Sequence, residues 1–230
     1  MRIVVCLHAP RQGDSALGRD DAHALAHALT LGPGHTVTAV LAGDASQVGP
    51  LLRALSAGAT RAVRFTGEDY SGADFHTLGQ ALATGIRRVG ADLVLMGARS
   101  ENDGLGGVPA SAARQLGMVH VASIETLAAG ADRTVTHVEV GVRGGGRWRR
   151  LRVSLPAVLS VSAGPPGPFA PPDTTGNPAD VESLSLVDPD TTLVRRRLEL
   201  LGRLEPAARG TALVSSAGEL VEALAGLRGG

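Results

Sequence analysis

The sequence predicts an α/β protein: a doubly wound, mostly parallel sheet with an appended β-hairpin and an extended C-terminal arm. Three observations carry this reading. Short apolar runs such as Ile3-Val4-Val5-Cys6-Leu7 and Leu93-Val94-Leu95-Met96 show no polar alternation, as expected of strands covered on both faces. Amphipathic stretches separate them, and the clearest places Leu78, Leu82 and Ile86 on one helical face. Beyond residue 134 the pattern switches to period two, breaks at Gly144-Gly145-Gly146 and resumes, as a hairpin does.

The elements follow in order. Residues 2–7 form a buried first strand and 8–18 the loop after it. Asp20 or Asp21 caps a helix that ends near residue 31, where Gly32-Pro33-Gly34 stops it. A second strand covers 35–41, and Asp44 or Ser46 opens a helix that ends at Gly58. A third strand covers 62–65, and a helix over 74–89 stops at Gly90. The fourth strand ends at Gly97, and a glycine-bearing loop leads to a helix over 109–116, with Pro109 suited to its first turn. The fifth strand is 119–123. The hairpin occupies 134–154, and one more apolar strand covers 155–161. Strand–helix alternation of this kind implies parallel pairing with right-handed crossovers.

Composition changes at Ala163. Residues 163–180 hold six prolines and almost nothing large to bury, so they read as an arm ordered only against something else. A basic helix is expected around Arg195-Arg196-Arg197, then a strand at 211–214 and a helix at 217–227. The division expected is a nucleotide-binding domain over 1–162, carrying the hairpin 134–154, and a partner-clasping arm over 163–230 with a terminal strand and helix.

Composition also removes several classes of function. The 22 basic and 22 acidic residues cancel, so no broad field recommends a nucleic-acid or membrane partner. Every basic residue is arginine, which fits a GC-rich genome. Aromatic side chains are 2% of the chain, too few for base-stacking platforms. A single cysteine leaves no disulfide framework or multi-thiolate metal site. The start of the chain reads as a strand rather than a signal peptide, and no run reaches ~18 apolar residues, so a cytoplasmic protein without membrane insertion is expected.

The functional centre is placed at the end of the fourth strand. A strand that runs into a glycine loop and then a helix N-terminus makes an anion site, because free backbone N–H groups and the helix dipole point at one place. Spacing alone leaves two readings open, a nucleotide phosphate or a plain connecting loop. There is no P-loop and no Gly-x-Gly-x-x-Gly here. Elsewhere, His23 and His27 have metal-compatible spacing, but no third ligand is evident and surface histidines are the better reading. Arg143, Arg147, Arg149, Arg150 and Arg152 flank Trp148 on the hairpin, where a solvated or partner-facing role is favoured over nucleic acid. No acid–base pair or nucleophile stands out, which speaks against a self-contained hydrolase or transferase.

Several segments together resemble the electron transfer flavoprotein beta subunit over nearly the whole chain. They are the strand ending Leu41-Ala42-Gly43 with the following Leu51-Leu52-Arg53-Ala54-Leu55, the strand into Gly97, Leu155-Pro156-Ala157-Val158, Glu205-Pro206-Ala207-Ala208-Arg209-Gly210 and Glu219-Leu220-Val221-Glu222. The resemblance implies a fold like the adenine nucleotide alpha-hydrolases. It implies a heterodimer with an alpha subunit, an FAD shared with that subunit, and AMP or a second FAD held by this chain. Electrons would pass from dehydrogenase donors to a quinone-linked or other redox acceptor. The cofactor-binding positions implied are Cys6; Gly18, Arg19, Asp20 and Asp21; Ala42 and Gly43; and the stretch Gly97, Ala98, Arg99, Ser100, Glu101, Asn102, Asp103, Gly104, Leu105, Gly106, Gly107 and Val108.

The departures have consequences too. The family's Asn-Pro-Phe before the first helix is replaced by Gly18-Arg19-Asp20, polar residues of the nucleotide loop by Leu105-Gly106-Gly107, and a usual glycine by Pro109. The arm lacks the docking-leucine segment; only Phe169-Ala170 is similar to it. These changes imply a divergent member, such as those associated with mycofactocin redox systems, whose nucleotide site is weakened, altered or empty. Two other readings remain open: a nucleotide sensor resembling universal stress proteins, and a scaffold that has lost its nucleotide.

Overall fold

The computed structural model describes residues 1–9, 17–32, 34–67, 70, 73–100, 106–130, 135–163 and 177–186. The chain divides into two units, Met1–Leu198 and Glu199–Gly230, and every described residue belongs to the first. The elements predicted for 190–204, 211–214 and 217–227 lie outside the described residues.

The strands are β1 (Arg2–Cys6), β2 (Thr36–Ala42), β3 (Arg61–Thr66), β4 (Leu93–Gly97), β5 (Val119–Ala129), β6 (His137–Gly144), β7 (Arg147–Ser154), β8 (Ala157–Val161) and β9 (Glu182–Ser185). The α-helices are α1 (Arg19–Thr30), α2 (Gly49–Ser56), α3 (Phe75–Val89) and α4 (Gly107–Leu116). The strands form one sheet in the order β7-β6-β5-β8-β4-β1-β2-β3-β9. All pairs from β5 through β8, β4, β1, β2 and β3 to β9 are parallel, whereas β5–β6 and β6–β7 are antiparallel. The predicted doubly wound sheet with an added hairpin is therefore the architecture observed.

Two-sided burial explains why the central strands are apolar throughout. Ile3, Val5, Leu93 and Leu95 face α1 and α2, packing with Leu25 and Leu51. Val4, Cys6, Val94 and Met96 face α3 and α4, packing with Phe65, Ile86 and Ala112. Successive residues of one strand thus serve opposite cores. Gly90 stops its helix as predicted, at φ 80°, and Gly117 stops α4 at φ 69°; both take positive-φ backbone that a side chain would disfavour.

Four expectations are corrected. The fifth strand does not stop at Ser123 but continues to Ala129. Ser123 adopts φ 54°, its N–H bonds Ser160 Oγ at 3.0 Å, and the strand changes partner there, from parallel β8 to antiparallel β6. Such a break in register is a β-bulge, and a change of partner within one strand leaves no mark in the local sequence pattern. Between Asp44 and Gly58 the chain first makes a short 3-10 turn, Ala45–Gln47, held by a capping box between Asp44 and Gln47, before α2 starts at Gly49. The region after Ala163 is not wholly an arm seeking a partner, because Glu182–Ser185 returns as β9 beside β3. Arg61 binds Glu182 through two hydrogen bonds of 3.0 and 2.7 Å, and Leu186 is buried just beyond. Finally, neither Asp20 nor Asp21 caps α1: Gly18 is its N-cap, and both aspartates lie inside the first turn.

Acid should weaken this assembly. The Arg2 guanidinium holds the Asp92 carboxyl below its ordinary range, and Arg61 does the same to Glu182. Burial lowers the His27 and His120 imidazoles, His27 further through the charge of His23. Each depressed carboxyl contributes stability above its unfolded pKa that is lost as pH falls through its folded pKa. Each depressed histidine resists protonation that the unfolded chain accepts below about pH 6.5, so the sign is the same. Urea midpoints should therefore fall steadily from pH 7 to pH 3. The carboxylate share will be small because both pairs are exposed and screened by salt.

Candidate functional site

The order of strands reverses at β1. From β1 the chain passes through α1 to β2 on one side, and from β3 through α3 to β4 on the other. In open α/β sheets, ligands sit outside the carboxyl ends of strands at such a switch. Here that edge is built from the ends of β1, β2, β4 and β8 and the first turns of α1 and α4.

Two aspartates tie these pieces together. Asp21 is 1% exposed. It accepts from the His8 backbone N–H at 2.8 Å, and its two oxygens lie 2.9 and 2.8 Å from His8 Nδ1. The preceding Asp20 accepts from Ala163 N–H at 2.7 Å through one oxygen and from Arg99 N–H at 3.2 Å through the other. Carboxylates suit a helix N-terminus because they meet the positive end of its dipole. Here they also clamp the ends of β1, β4 and β8 onto α1. The sequence showed no acid–base pair, yet His8 and Asp21 form one. The signal available was a histidine directly after a buried strand and an aspartate in the next helix's first turn; nothing in their spacing joined them.

Gly97 permits the approach. A Cβ there would lie 2.4 Å from Asp21 Oδ1 and 3.3 Å from the Asp21 backbone nitrogen. Ala98 continues the strand end by donating to Val161 O at 2.8 Å. At the neighbouring strand end, Gly43 follows Ala42 and lies against Ala9, where an added Cβ would come to 3.2 Å.

Cys6 is buried on the α3/α4 side of β1. Its thiol is pushed far above the ordinary range, chiefly by burial and further by the charge of Asp21. The thiolate is the reactive form. Iodoacetamide should therefore leave Cys6 unmodified in the native protein at pH 8 and alkylate it once urea unfolds the chain, as intact-mass spectrometry would show.

α4 starts two residues before Pro109, at Gly107, with Gly106 as N-cap and no side chain bonded to the cap. A Cβ on Gly106 would meet Ala98 O at 2.6 Å, and one on Gly107 would meet the Phe75 ring at the same distance. Bare backbone thus brings the α4 first turn against both the end of β4 and the start of α3. Thr77, in the first turn of α3, is buried and its hydroxyl has no hydrogen-bond partner among the described residues.

Of the cofactor positions implied by resemblance, Cys6, Gly18, Arg19, Asp20, Asp21, Ala42, Gly43, Gly97, Ala98, Arg99, Ser100, Gly106, Gly107 and Val108 all lie at this edge of the sheet. Glu101, Asn102, Asp103, Gly104 and Leu105 lie outside the described residues. His23 and His27 do not gather a metal site: no group of three metal-ligating side chains occurs among the described residues. His23 and His27 are both half-buried on α1.

The fold and this edge define a doubly wound α/β protein whose strand order reverses at the β1/β4 switch. The family model of the electron transfer flavoprotein domain matches residues 7–189. The chain therefore belongs to the electron transfer flavoprotein family, as a beta-subunit-type member. It is also similar to Protein FixA of Azorhizobium caulinodans, 29% identical over 148 residues, which cover 61% of this chain and 52% of that protein. The chain thus spans about half the length of that relative. No helix among the described residues is long and apolar enough to cross a membrane.

Proposed function

We propose that this chain is the beta-type subunit of an electron transfer flavoprotein, a carrier rather than an enzyme. It pairs with an FAD-bearing alpha subunit and holds an adenine nucleotide, AMP or a second FAD, in the crevice at the β1/β4 switch. Dehydrogenases would supply the electrons and a quinone-linked or other acceptor would take them. The observation that carries the reading is the α4 N-terminus, where the bare backbone of Gly106 and Gly107, with no side-chain cap among the described residues, adjoins the strand ends in a chain of this family.

The residues present fit a phosphate at α4 better than at α1. Gly107 and Val108 offer backbone N–H groups, and the Thr77 hydroxyl, without a partner among the described residues, lies on the helix packed beside them. At α1, Asp20 and Asp21 already occupy the dipole and would repel a phosphate. An FAD when bound would supply the redox chemistry; this chain's residues would position it and exclude water.

One observation favours a second reading, a scaffold that has lost its nucleotide: Asp20 and Asp21 both spend their side chains on contacts within the chain. Co-purification with the alpha-type subunit, followed by chromatography of the released cofactors, separates the two. One FAD and one AMP per heterodimer, or two FAD, supports nucleotide binding here. One FAD and no AMP supports the scaffold, and no stable heterodimer would overturn the subunit reading altogether.

A further inference from the structure

The β6–β7 hairpin stands at the opposite end of the sheet from β9. Residues 137–154 carry five arginines against one glutamate, in a chain whose charges cancel only when taken as a whole. Among the described residues β7 ends the sheet, so its outer edge has no neighbouring strand. Its first six residues are all exposed.

The arginines divide between two faces. Val153 points into the core shared with α1, which puts Arg147 and Arg149 on that side of β7. Trp148, Arg150 and Arg152 project from the other. Arg150 and Arg152 share Glu139, and Arg143 is paired with Glu125. No ion pair with Arg147 or Arg149 occurs among the described residues. The opposite sheet edge behaves differently, since the Glu182 of β9 is matched by Arg61 within the chain.

Trp148 is the chain's single tryptophan, and it is 49% exposed. Its ring lies over Gly141, where an added Cβ would come within 2.3 Å, and the Arg143 guanidinium sits 5.5 Å from the ring centroid. The ring is held flat beside a groove of about 310 Å³ lined by Thr126, Ala128, Glu139, Gly141 and Arg150. Edge arginines by themselves discourage self-pairing. They do not call for a large apolar ring fixed and half-exposed among them.

We propose that the outer edge of β7 accepts an acidic, extended segment of a partner protein as an added strand. Its main chain would pair with β7, and its alternating side chains would meet Arg147 and Arg149 on one face and Trp148 with Arg150 on the other. A second copy of the hairpin is refused by like charge. This inference does not depend on the flavoprotein reading.

The probe is an acetylated peptide of alternating glutamate and valine, about eight residues long. It is titrated into the full chain at low salt while the emission of Trp148 is followed. Saturable binding with a blue shift is expected. The double variant Arg147→Glu/Arg149→Glu should weaken binding at least tenfold with the circular dichroism spectrum unchanged. A peptide N-methylated on alternate backbone nitrogens, with the same charge, should also lose at least tenfold. Equal binding of the methylated peptide would overturn edge pairing. No response of Trp148, or tighter binding of an oligothymidylate than of the acidic peptide, would overturn the proposal as well, the latter in favour of a nucleic-acid surface.

Discussion

Asp21→Ala should lower the unfolding free energy by about 3 kcal/mol, among the largest effects of any single polar substitution in the chain. The side chain is buried and accepts from both the backbone and the ring of His8. Its removal strands the His8 backbone N–H in a desolvated place and frees the end of β1 from α1. Hydrogen bonds to a charged group contribute ~1.5–3 kcal/mol each, and stranding a buried donor adds its desolvation cost. Asp21→Asn keeps one acceptor and should cost about half as much. A double-mutant cycle with His8→Ala should show coupling above ~1 kcal/mol, because the two residues share one network. Urea unfolding of the four proteins measures this directly, and a change below ~0.5 kcal/mol for Asp21→Ala would sink the clamp.

Gly97→Ala comes second, with an expected loss of about 2 kcal/mol. The methyl group would sit 2.4 Å from Asp21 Oδ1. That oxygen is not the loose end of a flexible side chain, because His8 Nδ1 holds it at 2.9 Å. Either the clamp opens or α1 retreats from β4. The effect should therefore be strongly non-additive: in an Asp21→Ala background the obstructing oxygen is gone, and Gly97→Ala should cost less than half as much. The remaining close atoms, Asp20 Cβ at 3.2 Å and the Asp21 nitrogen at 3.3 Å, keep the cost from vanishing. If the crevice holds a nucleotide as proposed, Gly97→Ala should also lower the nucleotide content of the purified heterodimer.

Much of the fold was legible because local signals agreed with the global answer. The apolar runs at β1, β4 and β8 have no polar face, so each needed cover on both sides. The stop at Gly90 and the hairpin turn at Gly145-Gly146 used residues suited to positive φ. The site was legible only as a place. Glycines after β4 pointed to the strand end, and the resemblance to a family supplied a list of positions of which the described ones lie at that edge.

What escaped depends on contacts distant in sequence. β9 is four residues of serine, leucine and glutamate, and it becomes a strand only because β3 offers an edge and Arg61 a guanidinium. Ser123 turns β5 toward a new partner through Ser160, 37 residues away. His8 and Asp21 looked like loop polarity and a helix cap until the packing of α1 on β4 set them side by side.

The sequence by itself determined that this chain forms a parallel α/β sheet with a hairpin, because periodicity and glycine placement are properties of short segments. Only the tertiary structure decided that the α1 carboxylates bond the backbone amides of His8, Arg99 and Ala163 at the strand ends, and that α4 starts on the bare backbone of Gly106 and Gly107. Both outcomes turn on which backbone amides come within hydrogen-bond reach, and that is fixed by how helices seat on the sheet, not by the order of residues along the chain.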